Sequence, residues 1–226
     1  MKVIIFGATG MIGKGVLLEC LDDGRVEQVL TIGRTQMELE HDKLKQLAHQ
    51  DFTDFSPVES ELRCYDACFF CLGISAAGLK EAEYTKITYD FTLAAANTLH
   101  QLNPDMTFTY VSGQGTDSSE KGRMMWARVK GKTENDLMQV GFKKAIMFRP
   151  GAIIPLRGIE SRTKSYQFMY DYFGWLLKGI KAIAPNAVTD TTQIGRAMIN
   201  VVEHGKDKSI LTPKDINALA VADRAD

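Results

Sequence analysis

The 226-residue chain has almost no net charge, only four cysteines and four histidines, and no apolar run long enough to cross a bilayer. Each shortage excludes something. Lys and Arg number 27 against 28 Asp and Glu, a balance of −1 at pH 7, so no overall field favours nucleic acid or an acidic membrane. The N-terminal run in "MKVIIFGATG" meets Gly-Ala-Thr-Gly before it can serve as the hydrophobic region of a signal peptide. The expected location is the cytoplasm and the expected partner a small molecule, with no nucleic acid and no membrane. So few cysteines suit a reducing compartment in which none need be paired. Cys64, Cys68 and Cys71 do carry the C-x3-C-x2-C spacing of an iron–sulfur site. They sit in "CYDACFFCLG", however, whose apolar centre reads as a buried strand. Residues three apart on a strand face opposite sides of the sheet, so packing is the expected role. His41, His49, His100 and His204 lack ligand spacing and are expected at the surface or at the ends of elements, with no metal site.

What is present alternates. The apolar runs "KVIIF", "QVLTI", "DACFFCL", "MTFTYVS" and "KAIMFRP" read as buried strands, with a weaker strand near "LAHQDF". Between the first two, Ile12, Val16 and Cys20 recur every four residues and "DDG" closes the helix. From Ala82 to Leu102, residues Ile87, Phe91, Ala94, Ala95 and Leu99 share a helical face. Strand and helix in strict alternation predict an α/β fold, a Rossmann-type doubly wound parallel sheet with helices on both faces. With 45% hydrophobic residues, the length suits one domain over 1–226. After Pro150 the strands thin out, and 151–226 is expected to fold over the mouth of the sheet as a small helical segment. There Asp190 and Gln193 form a capping box opening a helix that stops at Gly205, and Thr212-Pro213 opens another. The aromatic stretch 166–183 reads as an amphipathic helix on the sheet edge, or as a substrate lid or dimer face.

The strongest local signal is "KVIIFGATGMIGKG". A strand runs into Gly7-x-x-Gly10-x-x-Gly13 and a helix comes next. Gly7 permits the tight turn, Gly10 lets backbone N–H groups approach a pyrophosphate, and Gly13 lets helix and strand pack closely. Thr9 can add a hydroxyl, and Met11 and Ile12 begin the helix that receives the phosphates. At the end of the second strand, where an NAD site places a carboxylate for the ribose, "TIGRT" offers Arg34 instead. A guanidinium there suits a 2′-phosphate, so the cofactor is read as NADP. Asp51 and Phe52 are expected to flank the adenine. Cys71, Leu72 and Gly73 are expected where the fourth strand passes the cofactor.

Together "FGATGMIG", "FFCLG", "YVSGQGTD", "VKGKTE" and "FRPGAIIP" resemble the short-chain dehydrogenase/reductase superfamily, more narrowly its atypical branch of Tat-interacting oxidoreductase-like proteins, and the likeness runs over nearly the whole chain. The resemblance implies Ser112 as the hydrogen-bonding partner of a substrate carbonyl. It implies Lys130 on the nicotinamide ribose, and Pro150 and Gly151 in the loop beside the nicotinamide. It also implies a Tyr four residues before the Lys as proton donor, and Trp126 stands there. Indole cannot supply a proton near neutral pH. For the family's Asn the nearest candidates are Thr88 and Asn97. Dimers through the helices flanking the fourth and fifth strands are common in the family.

Two readings are open. One is an NADP-dependent oxidoreductase acting on a small carbonyl or hydroxyl substrate, its proton coming from Tyr166, Tyr170, Tyr172 or a water held by Ser112 and Lys130. The other is a non-catalytic NADP(H)-binding redox sensor or regulator, in which Lys130 still binds ribose and Ser112 caps its turn. Epimerase or dehydratase chemistry would want the Tyr and a larger substrate segment.

Overall fold

A computed structural model describes residues 1–159, 188–205 and 207–222. Seven parallel strands form the main sheet: β1 (Lys2–Phe6), β2 (Gln28–Gly33), β3 (Leu44–Ala48), β4 (Ala67–Phe70), β5 (Thr107–Val111), β6 (Lys144–Phe148) and, last in sequence, β9 (Ile210–Leu211). Their order across the sheet is β3-β2-β1-β4-β5-β6-β9. The chain therefore builds outward from β1 in one direction and then, from β4 on, in the other. A crevice opens between β1 and β4 at the carboxyl ends of the strands, where such folds bind ligands. A separate parallel pair joins β7 (Ala152–Ile154) to β8 (Val188–Asp190).

Both faces of the sheet are covered, and the period of two in the strands says with what. Val3 and Ile5 of β1, Phe69 of β4 and Phe148 of β6 point into one core. It is closed by Val16, Leu17 and Cys20 from α1 (Met11–Asp22) and by Met198 and Ile199 from α5 (Thr191–His204). Ile4 and Phe6, Cys68 and Phe70, and Met147 point the other way, against Leu99 of α3 (Phe91–Leu102) and Leu137 of α4 (Met125–Leu137). Cys68 and Cys71 thus lie on opposite faces of the sheet, while Cys64 is exposed.

The expected weak strand lies earlier than read, at Leu44–Ala48, because the polar pattern there offers no apolar run to mark it. The long helix after β4 is also not uniform. α2 (Glu81–Thr85) passes into one π-helical turn, Lys86–Asp90, before α3. An extra residue in a turn rotates the helix on one side of it relative to the helix on the other. Tyr84, Thr88 and Thr92 become buried, while Ile87 and Phe91, expected on the core face, are only partly buried.

Beyond Pro150, the capping box of α5 is in place: Asp190 accepts from Gln193 N at 2.7 Å and Asp190 N donates to Gln193 Oε1 at 3.1 Å. Thr212 caps α6 (Pro213–Leu219). The stretch 166–183, with Tyr166, Tyr170 and Tyr172, lies outside the described residues.

Candidate functional site

A cleft of about 1080 Å³ occupies the crevice. Its floor is the turn after β1. Gly7 has φ +77°, and a Cβ there would stand 2.7 Å from Leu72 N, so only glycine fits. Gly13 is buried beneath that turn, where a Cβ would lie 2.2 Å from Gly7 O. It acts by letting α1 approach rather than by lining the cleft. Gly7, Thr9, Gly10, Met11 and Ile12 do line it. Gly10 is the N-cap of α1, with no side-chain cap and no acidic residue in the first turn. The free N–H groups and positive end of the helix therefore face the cleft without an internal anion. That is the arrangement a dinucleotide pyrophosphate needs.

Away from the glycine turn, the wall at the end of β2 is formed by Arg34, Thr35, Met37, Gln46 and Gln50, with no carboxylate among them. Gln50 is fixed by donating to Arg34 O at 2.6 Å. Phe52 lines the cleft as expected, whereas Asp51 does not. The earlier end of β3 places Asp51 in a turn, where its carboxylate accepts from Thr53 N at 2.9 Å and Thr53 Oγ1 at 2.6 Å. His49, expected at the surface or at the end of an element, directly follows β3 and is buried beneath the same turn, its Nε2 2.6 Å from Asp51 O and 2.8 Å from Asp54 O. Sequence reasoning missed Gln50 and the largely apolar lining from Leu47, Ile74, Ile87 and Phe91. Nothing in the sequence marks the π turn that aims the last two.

Leu72, Gly73 and Cys71 lie along the cleft, and burial pushes the Cys71 thiol up to about 12, so it is a neutral apolar contact. At the far end the cleft meets a smaller cavity of about 460 Å³, lined by Gly113, Gln114, Gly115 and Pro150. Ser112, Gly151, Ile12 and Ile153 line both. Lys130 lines the large cleft beside Ser112, its Nζ donating to Val111 O at 3.1 Å and standing 5.2 Å from the Tyr110 ring centre. Burial holds the Lys130 ammonium down at about 8, against an opposing pull from the Glu134 carboxylate. Thr88 and Asn97 do not line the cleft: Thr88 is buried with its carbonyl accepting from Thr92, and Asn97 is exposed. Trp126, one helical turn before Lys130, lays its ring 3.4 Å from where a Cβ on Gly115 would be. Gly115 has φ +90°.

The least expected member is Glu134, completely buried. Arg149 holds it with a fork, Nε at 3.0 and 3.1 Å from the two carboxylate oxygens and a terminal nitrogen closing on Oε2. The Ser112 hydroxyl donates to Glu134 Oε1 at 2.5 Å and also lies 3.2 Å from Phe148 O. The ends of β5, α4 and β6 are knotted together by this triad.

No family model matches the chain. Two curated proteins align with it at length. Protein FMP52, mitochondrial, of Candida albicans is 24% identical over 228 residues, 95% of this chain and 96% of that protein. Protein HTATIP2 of Rattus norvegicus is 26% identical over 156 residues, 68% of this chain and 63% of that protein. The chain is similar in sequence to FMP52 and HTATIP2. The Tat-interacting branch is thus the one that the motifs resembled. Among solved structures, a short-chain dehydrogenase family protein from Francisella tularensis superposes with a TM-score of 0.64 at 13% identity, over 90% of this chain and 91% of that one. WbmF from Bordetella bronchiseptica, solved with NAD+, gives 0.68 at 12% identity, over 97% and 77%. The fold is therefore that of the short-chain dehydrogenases and their nucleotide-sugar relatives. The expectation of a cytoplasmic location is overturned, since FMP52 relatives are named as mitochondrial. The argument from apolar runs bears on secretion and membrane spanning, and it carries no information about import into an organelle.

Proposed function

We propose that this chain is an NADP(H)-dependent oxidoreductase acting on a small, uncharged carbonyl or hydroxyl substrate. The observation that carries the reading is that Ser112 lines both the long cleft and the smaller cavity, while Lys130 lines the same cleft. The cleft has the volume and the helix N-terminus for a dinucleotide. The cavity next to it presents Gln114 with Ile12, Pro150 and Ile153 and no charged side chain among the described residues, which suits a neutral substrate. Bound in the cleft, the reduced dinucleotide would supply a hydride. The preference for NADP rests on Arg34 and on the lack of a carboxylate lining that end.

Two observations favour the alternative, a non-catalytic NADP(H)-binding protein: the Ser112 hydroxyl donates to Glu134, and Trp126 occupies the position where the resemblance implies an acid. The dimer implied by the resemblance would pair α3 and α4, and sedimentation equilibrium would test it.

The deciding experiment measures NADPH and NADH binding by cofactor fluorescence, then NADPH oxidation over a panel of aldehydes, ketones and quinones. Arg34→Ala is expected to weaken NADPH roughly tenfold or more while leaving NADH nearly unchanged. Equal losses for both would remove the NADP assignment. Tight binding without turnover by any panel member would leave the binding protein as the better account.

A further inference from the structure

An acid is missing from the site, and the hydrogen bonds around it indicate which group takes its place. Ser112 has one proton, and it goes to Glu134. Glu134 is held by the Arg149 fork, so it remains an acceptor for that hydroxyl. What Ser112 can turn toward the cleft is a lone pair. Trp126 packs against Gly115, and its indole N–H holds its proton at neutral pH. Lys130, in contrast, has three N–H groups, and Val111 O takes one of them. It lines the cleft, as does Ser112, which also lines the smaller cavity.

We propose that Lys130 is itself the proton donor of this site, its ammonium protonating the substrate oxygen directly. The proposal rests on the oxidoreductase reading above. In reduction, the carbonyl carbon takes a hydride from the reduced nicotinamide ring and the C=O π pair moves onto oxygen. That oxygen then takes a proton as one Nζ–H bond breaks. Lys130 is left as a neutral amine and regains its proton from water through the open cleft. In the reverse direction the neutral amine takes the hydroxyl proton as hydride leaves the carbon.

The surroundings suit the role. A general acid works best with a pKa near the operating pH, and burial brings the Lys130 ammonium to about 8. Glu134 faces it from the same helix and pulls the other way, itself ion-paired with Arg149 at the end of β6. Tyr110 of β5 faces it with its ring, and Tyr84 of α2 acts on Tyr110. Burial pushes both phenols up, so they stay neutral. Reduction needs the protonated amine. The rate should therefore be full below the pKa and fall above it, and oxidation should do the opposite.

The test has two readouts. Protein labelled with 13C at the lysine ε-carbons is titrated by NMR without cofactor, with Lys130→Arg assigning the signal. One lysine is expected to titrate near 8, against about 10.4 for ordinary lysines. In the second readout, Lys130→Arg keeps a cation for the ribose but cannot release a proton. It should bind NADPH within a few-fold of wild type and lose 10²- to 10⁴-fold in kcat, with the wild-type alkaline fall near pH 8 abolished. If that variant does not fold, Lys130→Met serves for assigning the signal and for comparing kcat at saturating NADPH. A Lys130 signal titrating in the ordinary range overturns the proposal, as does a Lys130→Arg enzyme that keeps its turnover. A wild type that binds NADPH, shows the low titration and reduces nothing in the panel also overturns the donor role, leaving the binding reading intact. Failure to bind NADPH at all would instead remove the oxidoreductase reading.

Discussion

Glu134 is a charged residue with no exposed surface, and such a group is tolerated only when its hydrogen-bonding capacity is filled. Here Arg149 and Ser112 fill it, and Arg149 reaches Ser118 Oγ at 2.6 Å as well. Removing one partner and removing the pair are then different experiments. Glu134→Ala strands a largely buried guanidinium and frees the Ser112 hydroxyl, and it should cost about 3–5 kcal/mol in urea unfolding. The double change Glu134→Leu with Arg149→Met takes both charges out and should cost less than Glu134→Ala alone. A loss under about 1 kcal/mol for Glu134→Ala would mean that water reaches the pair and that Ser112 is not locked. None of this was legible locally. "VKGKTE" carries three charged residues in six, nothing in it singles out Glu134 as buried, and the partner that holds Glu134 stands fifteen residues away, on the far side of a turn.

At the scale of elements, α4 carries Trp126, Lys130 and Glu134, and a glycine sets how close it lies to the loop before it. A Cβ on Gly131 would stand 1.8 Å from Asp117 O and 2.5 Å from its carbonyl carbon, backbone atoms with little room to give. The loop is tied to the same helix by Asp117 N donating to Ala127 O at 3.0 Å. Gly131→Ala should therefore push α4 outward, costing at least the upper end of the 1–3 kcal/mol typical of overpacking, with a lowered Tm and weakened NADPH binding. Gly24→Ala is the control: a Cβ there would meet no atom within 4 Å beyond its own chain neighbours, and stability should stay within about 0.5 kcal/mol. Elements of this kind divide by what announces them. β1, β2, β4, β5 and β6 are nearly continuous apolar runs because helices cover both their faces, and they were readable. β3 is half polar, and β9 is two residues long, held by pairing with β6 rather than by a pattern of its own. The π turn has no residue signature, so the cleft wall that it creates at Ile87 and Phe91 became visible only in three dimensions.

For the whole molecule, the question is whether the residues after Gly151 are an addition or part of the core. Ile194, Met198, Ile199, Leu211 and Ile216 pack in the same cluster as Val3, Val16 and Phe69. α5 lies so near α1 that a Cβ on Gly15 would meet Thr191 Cβ at 2.6 Å, and one on Gly195 would meet Glu19 Cγ at 2.8 Å. Glu19 of α1 takes Arg196 of α5 and Arg157 at 3.0 Å each. At the sheet edge, β6 donates from Met147 N to Ser209 O at 2.7 Å, and Arg149 N donates to Leu211 O at 2.9 Å. A chain ending at Gly151 would therefore expose one face of α1 and of the sheet and leave edge donors unpaired beside Arg149. Its glycine turn and Lys130 would be intact in sequence but unsupported. Such a fragment is expected to bind a hydrophobic dye, to show weak near-UV circular dichroism and to lack a cooperative melt, without measurable NADPH binding. A fragment that melts sharply and still binds NADPH would show that the first 151 residues fold by themselves. The C-terminal part would then be a separable cover, and the triad joining Ser112, Glu134 and Arg149 would be enough to hold the site together from within.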